Sequence, residues 1–565
     1  LIRIRTAAAA LALATVAAPG VAQQDELPRT HAPRPTVPAI TPGDLMTRLY
    51  IVSDDSMMGR EAGTPGNVKG TDYIEAQFRR IGLEPAGENG GYFQTVPLVS
   101  KALGAERSLS VDGSALAFRT DWVPMPAVGG VIRFADAFRG ASVPVVFGGR
   151  VGGEMIDAAR AQGKLVVLLP PLDNGAPTYR FWTPAMQWYP GAAGIAVVSL
   201  DATPGGLIDY VLQPQMSIAT PGAAPAAGAP GIIVTAAAAR RLLGADPATL
   251  AVGAAGKTVS GGWSFAESPS AAPARNVVGI LRGSDPARRN EYVVVSAHND
   301  HIGMQTPPVD HDSVLAFNRV VRPEGDNMDP DPPTPAQWAR INALRDSLTR
   351  AHGGARRDSV FNGADDDGSG TVTLLEIAEN LASRPHPARS ILFVSHTGEE
   401  KGLYGSQWYT DHPTVPRDSI VADLNMDMVG RGRPSDVRGG GLWSVQMIGS
   451  RRLSTQLGDL IDSLNAKRPN PMQVDYAFDA NGHPANRYCR SDHFMYARYG
   501  IPITYFSAGY HVAYHQVIDE PQYIWYDHMA HIAEFVRDIA VAVADRPARL
   551  VVDKPKPDPN APCRQ

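Results

Sequence analysis

The chain has 565 residues, 44% of them hydrophobic and 19% charged, with a formal net charge of −5. That length predicts two or three domains rather than one, and the interspersed, nearly balanced charges exclude a polybasic face for nucleic acid or lipid, leaving a peptide or small molecule as the expected partner. With only two cysteines, Cys489 and Cys563, no disulfide framework holds the fold, although an oxidising compartment permits one bridge between them.

At the amino end, Arg3 and Arg5 precede the apolar run Ala7 to Ala18 and the small residues Pro19-Gly20-Val21-Ala22. This is the layout of a secretory signal, residues 1–22, with cleavage after Ala22. It is too short for a stable anchor, and no other segment approaches the roughly 18 apolar residues of a spanning helix. Export to the periplasm or the extracellular space, without a membrane anchor, is therefore expected. Residues 23–42, rich in Pro, Thr and Ala, read as a linker.

A helix is predicted to start near Thr41-Pro42-Gly43-Asp44, and a second to span Gly66 to Ile81, where Tyr73, Ile74, Phe78 and Ile81 recur at helical spacing. Residues 43–101 are read as the first part of a catalytic domain. From 102 to 262 the texture changes to short β-branched runs, VPVVFGG, GKLVVLLPP and GAAGIAVVSL, separated by Gly and Pro, with the helix-like MIDAARAQG between two of them. That pattern predicts a small inserted α/β domain.

The catalytic domain is expected to resume over 263–548. EYVVVSA and SILFVSH are continuous apolar runs, as central parallel strands covered on both faces require. Helices are predicted at TVTLLEIAENLAS, GSQWYTDH, RRLSTQLGDLIDSLNAK, DHFMYARYG and MAHIAEFVRDIAVAVAD. The fold class is α/β: a three-layer α/β/α sandwich with a mixed, mostly parallel central sheet. Within it, residues 304–361 form a long insertion, acidic and proline-rich before the helix WARINALRDSLTRAH, and are expected to fold back over the cleft. The tail 549–565 is expected to be flexible.

Five potential metal ligands lie in five short motifs of the carboxyl-terminal half: His298 in VVVSAHND, Asp366 in NGADDDGSG, Glu400 in FVSHTGEEKGLYGS, Asp427 in ADLNMDMVG and His515 in YHVAYHQVIDEP. Two imidazoles and three carboxylates suit a pair of zinc ions that share one carboxylate. Three adjacent aspartates, Asp365 to Asp367, repel one another unless a cation is near, and Asp427 in an apolar strand is costly unless paired or metal-bound. Asp300 can orient His298 from behind. Glu399 and Glu400 leave their strand side by side and point in different directions, so that one can bind metal while the other faces water.

On these motifs the chain resembles the M28 family of co-catalytic zinc peptidases, with a protease-associated (PA) domain inserted after the first helices. The resemblance implies that His298 and Asp427 hold one zinc, that Glu400 and His515 hold the other, and that Asp366 bridges them. It makes Glu399 the general base, with Asp300 beside it as the second catalytic candidate, and one zinc receives the free α-amine of the substrate. Arg490-Ser491-Asp492-His493 resembles the family's Ser-Asp-His element, so Asp492 and His493 are expected to support the site. Arg487 and Tyr488 stand near the position of a family tyrosine, and His511 is a supporting candidate from the pair that precedes His515. The function implied is an exported di-zinc aminopeptidase acting on peptides or proteins. The alternatives are a carboxypeptidase or dipeptidase of the same fold, a one-zinc glutaminyl cyclase, and an inactive scaffold that binds through its insert.

Overall fold

The computed structural model describes residues 26–565 apart from 126, 129–130, 133–141, 174, 179–188, 190, 220–228 and 562. The expected signal segment lies outside the described residues. Helix Pro42–Val52 starts where it does because Thr41 accepts a hydrogen bond from the amide of Asp44 at 3.0 Å and Pro42 fills the first turn. Helix Pro65–Ile81 stops at Gly82, whose φ of 86° is open to glycine at little cost. Among the described residues no helix is long and apolar enough to cross a membrane.

Two large sheets organise the chain. The one that carries the candidate site runs in the order Glu84–Pro85, Ala274–Leu281, Ser390–His396, Tyr292–His298, Ile420–Met426, Ile503–Ser507, Ser444–Ile448 and Gln473–Asp475, with Phe93–Val96 also paired to Ala274–Leu281. The four strands from Ser390–His396 to Ile503–Ser507 are mutually parallel, and antiparallel pairings flank them. Alternate residues of the central strands serve two apolar layers. Val293, Val295, Ala297, Ile391 and Phe393 pack with helices Pro65–Ile81, Gly370–Ala382 and Tyr526–Asp545 on one face. Tyr292, Val294, Leu392 and Val394 pack with Tyr409, Tyr496 and Ala497 of helices Tyr404–Asp411 and His493–Ala497 on the other. Burial on both faces is why these strands are apolar throughout instead of alternating with polar residues.

The second sheet runs Gln215–Ile218, Leu98–Val111, Ala255–Pro269, Val143–Arg150, Leu165–Leu169, Gly194–Val198, Gly231–Val234 and Trp122–Pro124. Its two longest strands pair antiparallel from Val99↔Pro269 to Val111↔Val259. The chain thus enters and leaves this unit through a ribbon, and positions 102 and 262 fall inside its strands.

Three segments differ from expectation. Residues of the 23–42 stretch are laid on the core: Leu27 donates to the carbonyl of Gln522 at 3.2 Å, Thr36 to Glu379 at 2.8 Å and the Thr41 amide to Glu376 at 3.1 Å. The reason is a buried ionic cluster in which Arg48 meets both Glu376 and Glu379, whose remaining lone pairs need donors. The 549–565 tail is fastened by a disulfide between Cys489 and Cys563, and the Gln565 side chain accepts from the Tyr488 amide at 3.0 Å. The 304–361 insertion has its own order: strands Met304–Asp310 and Arg357–Val360 pair, and helices His311–Val321 and Pro335–Ala351 pack together through Ala316, Val321 and Ile341.

Candidate metal centre

All five candidate ligands gather at the carboxyl edge of the first sheet, where open α/β sheets place their ligands. His298 is the last residue of its strand, and Glu399 and Glu400 follow the strand that ends at His396. Asp427 lies one residue beyond strand Ile420–Met426 rather than within it, so its carboxylate leaves the apolar layers. Asp366 sits in the turn Ala364–Ser369 that leads into helix Gly370–Ala382, and His515 lies in the loop after strand Ile503–Ser507.

Asp366 is central. His298 Nε2 lies 3.2 Å from its Oδ1 and 3.8 Å from Asp427 Oδ1, while His515 Nε2 lies 3.0 Å from its Oδ2 and 3.0 Å from Glu400 Oε2. His298, Asp366 and Asp427 are 1%, 3% and 5% exposed. His298 with Glu399 and Asp427 forms one convergent donor group, and His301 with Asp366 and Glu400 forms another.

The three neighbouring aspartates are separated by their partners. Asp365 accepts from the Gly430 amide at 2.6 Å and meets His511 Nε2 at 2.9 Å. Asp367 turns the other way, accepting from the amides of His298, Gly370 and Met428. Asp366 alone faces the cleft, its amide and that of Asp365 held by one oxygen of Asp519 at 3.1 and 2.9 Å.

This donor set fits a pair of divalent cations. Four carboxylates and two imidazoles converge, and the buried His298 Nε2 points at Asp366 Oδ1 with the same donor atom a metal would take. Burial and the carboxylates of Glu400, Asp427 and Asp492 push the Glu399 carboxyl well up against the opposing pull of His298. Burial raises Glu400 as well, yet its contacts with His515 and His301 prevail and hold it down at about 2. Crowded like charge of this kind is relieved when a cation binds.

The cleft is a cavity of about 240 Å³ whose walls include Leu403, Met428, Arg490, Tyr505, Tyr510 and Tyr514 beside Asp366, Glu399, Glu400, Asp427 and His515. Leu403, Met428 and His515 all adopt left-handed backbone conformations, with φ of 61°, 60° and 54°. Such conformations are costly for residues with a β-carbon and concentrate where a site dictates the chain path.

The supporting candidates fall in distinct places. Asp300 lies behind His298 and outside the cleft walls: its carbonyl is 3.2 Å from His298 Nδ1, and its carboxylate accepts the Glu399 amide at 3.1 Å. It therefore positions both residues and does not reach the reacting centre. Asp492 is buried, which raises its carboxyl to about 7. His493 is buried and stacked on Tyr505 at 4.8 Å. Arg487 donates to Tyr505 Oη at 3.0 Å and Ser507 Oγ at 2.9 Å from beneath the wall. Tyr488 belongs to the apolar layer under the sheet, with Arg452 over its ring, and is not a cleft residue.

Two residues escape a reading of motifs. His301 places Nδ1 2.7 Å from Glu400 Oε1, and its only sequence signal is the spacing His298-Asn-Asp-His301. Arg60 is 2% exposed and donates to the carbonyls of Val52, Asn299, Asn362 and Gly363, clamping the chain next to His298 to the chain that leads into Asp366.

Comparison with known proteins places the same stretch of chain. The description "Peptidase family M28" matches residues 276–540. Aminopeptidase YwaD of Bacillus subtilis is 43% identical over 81 residues, 14% of this chain and 17% of the relative. Leucine aminopeptidase 1 of Aspergillus fumigatus is 26% identical over 215 residues, 34% of this chain and 52% of the relative. A vacuolar membrane protease of Candida tropicalis is 36% identical over 95 residues, 16% of this chain and 10% of the relative. The chain thus spans between about a tenth and about half the length of these curated relatives. Among solved structures, the aminopeptidase from Aneurinibacillus sp. strain AM-1 superposes with a TM-score of 0.48 at 16% identity, covering 91% of this chain and 97% of that one. Residues 276–540, the stretch that matches peptidase family M28, carry every candidate ligand.

Proposed function

We propose that this protein is an exported di-zinc aminopeptidase that removes amino-terminal residues from peptides. The observation that carries the reading is the convergence of His298, Asp366, Glu400, Asp427 and His515 on one open cleft, with Glu399 in its wall. His298 and Asp427 would hold one zinc, Glu400 and His515 the other, with Asp366 shared between them. When bound, the metals lower the pKa of water and polarise the scissile carbonyl.

The chain's own groups do the rest. Glu399 takes the proton from the attacking water and passes it to the departing amine, for which a carboxylate made more basic by burial and by its acidic neighbours is suited. Asp300 fixes the Glu399 main chain through its amide, so the base is held on a rigid support. The aromatic walls Tyr505, Tyr510 and Tyr514 limit water in the cleft and leave phenol groups able to donate to oxygen. The second sheet holds none of the five ligands and is read as a PA-like insert that shapes access. Export is supported by the amino-terminal charge and apolar pattern and by the Cys489–Cys563 bridge, which suits an oxidising compartment.

The test is metal content together with hydrolysis of peptide amides bearing a free or an acetylated amino terminus. Two zinc ions per chain and cleavage restricted to free amino termini are expected. Equal cleavage of blocked peptides would replace the aminopeptidase reading. Two bound zincs without turnover of any peptide would make the protein a binding scaffold.

A further inference from the structure

We propose that Arg490 makes this cleft selective for substrates that carry a carboxylate beside the scissile bond, an inference that rests on the peptidase reading. The charged side chains of the cleft wall divide cleanly. Asp366, Glu400, Asp427 and His515 are assigned to metal and Glu399 to the proton, which leaves Arg490 as the one cation of the wall without a task.

Its surroundings explain why it is available. The guanidinium donates to Asn327 Oδ1 at 2.8 Å and to Tyr514 Oη at 3.3 Å, and it lies 5.3 Å from the centre of the Tyr510 ring. Both acceptors are neutral, and among the described residues no carboxylate stands within ion-pair distance. An arginine has five N–H donors in a fixed fork, so the side chain is oriented by two contacts while donors remain for a ligand. Asn327 comes from the 304–361 insertion, which therefore sets the angle of the fork.

The wall behind it has the same sign. Arg487 is buried, its guanidinium lies 4.4 Å from the centre of the Tyr510 ring, and it donates to Tyr505 Oη, leaving the Tyr505 hydroxyl hydrogen free to donate elsewhere. The Arg490 guanidinium and the Tyr505 hydroxyl thus line the cavity beside Leu403, Met428 and tyrosine rings, with a second guanidinium, that of Arg487, buried beneath them. An anionic oxygen bound there gains charge-assisted hydrogen bonds, whereas a substrate ammonium is repelled.

The carboxylate has two possible sources: the side chain of an acidic residue, or the free carboxyl terminus of a dipeptide. Two substrate pairs separate them. Glu-p-nitroanilide against Gln-p-nitroanilide tests the side chain, and Leu-Leu against Leu-Leu-amide tests the terminus. In the zinc-loaded wild type, kcat/KM is expected to favour the charged member of one pair by about 10- to 100-fold, carried mainly by KM, the size of a charge-assisted hydrogen bond. In Arg490→Gln that ratio is expected to collapse toward 1, and in Arg490→Glu to invert. Because the readout is a ratio within each variant, a general loss of activity does not mimic it. Ratios below about 2 in both wild-type pairs, or a ratio retained in Arg490→Gln, overturn the inference while leaving the peptidase standing. No turnover of any of the four substrates removes both.

Discussion

His301 Nδ1 lies 2.7 Å from Glu400 Oε1, while the opposite oxygen of the same carboxylate is 3.0 Å from His515 Nε2. Glu400 is thereby fixed at both ends before any metal arrives, and the two rings meet edge to face at 5.6 Å. His301→Ala should free one oxygen of Glu400 and weaken the metal held with His515 by about 10- to 100-fold, the usual effect of losing an orienting partner. Chelator competition on the folded variant measures this, and unchanged affinity at both sites removes His301 from the metal centre.

Asp366 is the residue that both histidines approach, so Asp366→Ala should release both metals where loss of either histidine releases one. Metal analysis after gel filtration reads the result directly. Two tightly held zincs in this variant would falsify the shared-carboxylate arrangement.

Glu399→Gln keeps the shape of the wall but removes the proton acceptor. Metal content should be unchanged and turnover should fall by about 10² to 10⁴. Near-normal turnover in the metal-replete variant would assign the proton to another group.

Arg60 ties together chain segments 239 and 303 residues away from it. Arg60→Met leaves four buried carbonyls without their charged donor and should destabilise the fold by about 3 kcal/mol or more, with weakened metal binding. Arg60→Lys, a point donor in place of a fork, should restore only part of either property. Urea unfolding with and without zinc separates the two effects, and full recovery by lysine would argue against a clamp.

The 304–361 insertion supports the metal centre as well as flanking it. Leu315 packs with Ala513, Val517 and Ile518 around His515, and Asn318 donates to the carbonyl of Val512 at 2.7 Å. Gly325 presses on the same loop: its φ is 55°, and an added β-carbon would lie 2.5 Å from the Tyr514 carbonyl. Replacing residues 311–353 with a Gly/Ser linker should therefore loosen the His515 loop and cost metal affinity, beyond any change in substrate size. Gly325→Ala should do the same in miniature. Unaltered zinc affinity in both variants would reduce the segment to a lid.

Much of this candidate site is legible in the sequence because His298, Glu400 and Asp427 end, or closely follow, a locally recognisable strand. VVVSAH and ILFVSH announce buried strands, and the residues just past them must sit at the sheet edge. The Asp-Asp-Asp run shows that a charge cluster exists, yet which carboxylate faces the cleft depends on Gly430, His511 and Asp519, all far away in the chain. Arg60 and His301 are invisible for the same reason, since their partners are set by topology and not by neighbours. The insertion misleads because its Pro- and Asp-rich composition resembles a loop, while its apolar residues find partners only in the 512–518 segment. The tail misleads because its composition reads as flexible, and the Cys489–Cys563 bridge that two cysteines permit is realised only by the fold.

Cys489 is part of the cleft wall and is followed directly by Arg490, so the bond to Cys563, 74 positions along the chain, anchors a stretch that lines the cleft. The choice of buffer thus becomes a variable of the cleft's shape. Thiol reductants commonly added to protect proteins detach this wall from its anchor while leaving every candidate metal ligand in place. Preparations handled with and without reductant can then carry equal zinc and still differ in which peptides they accept.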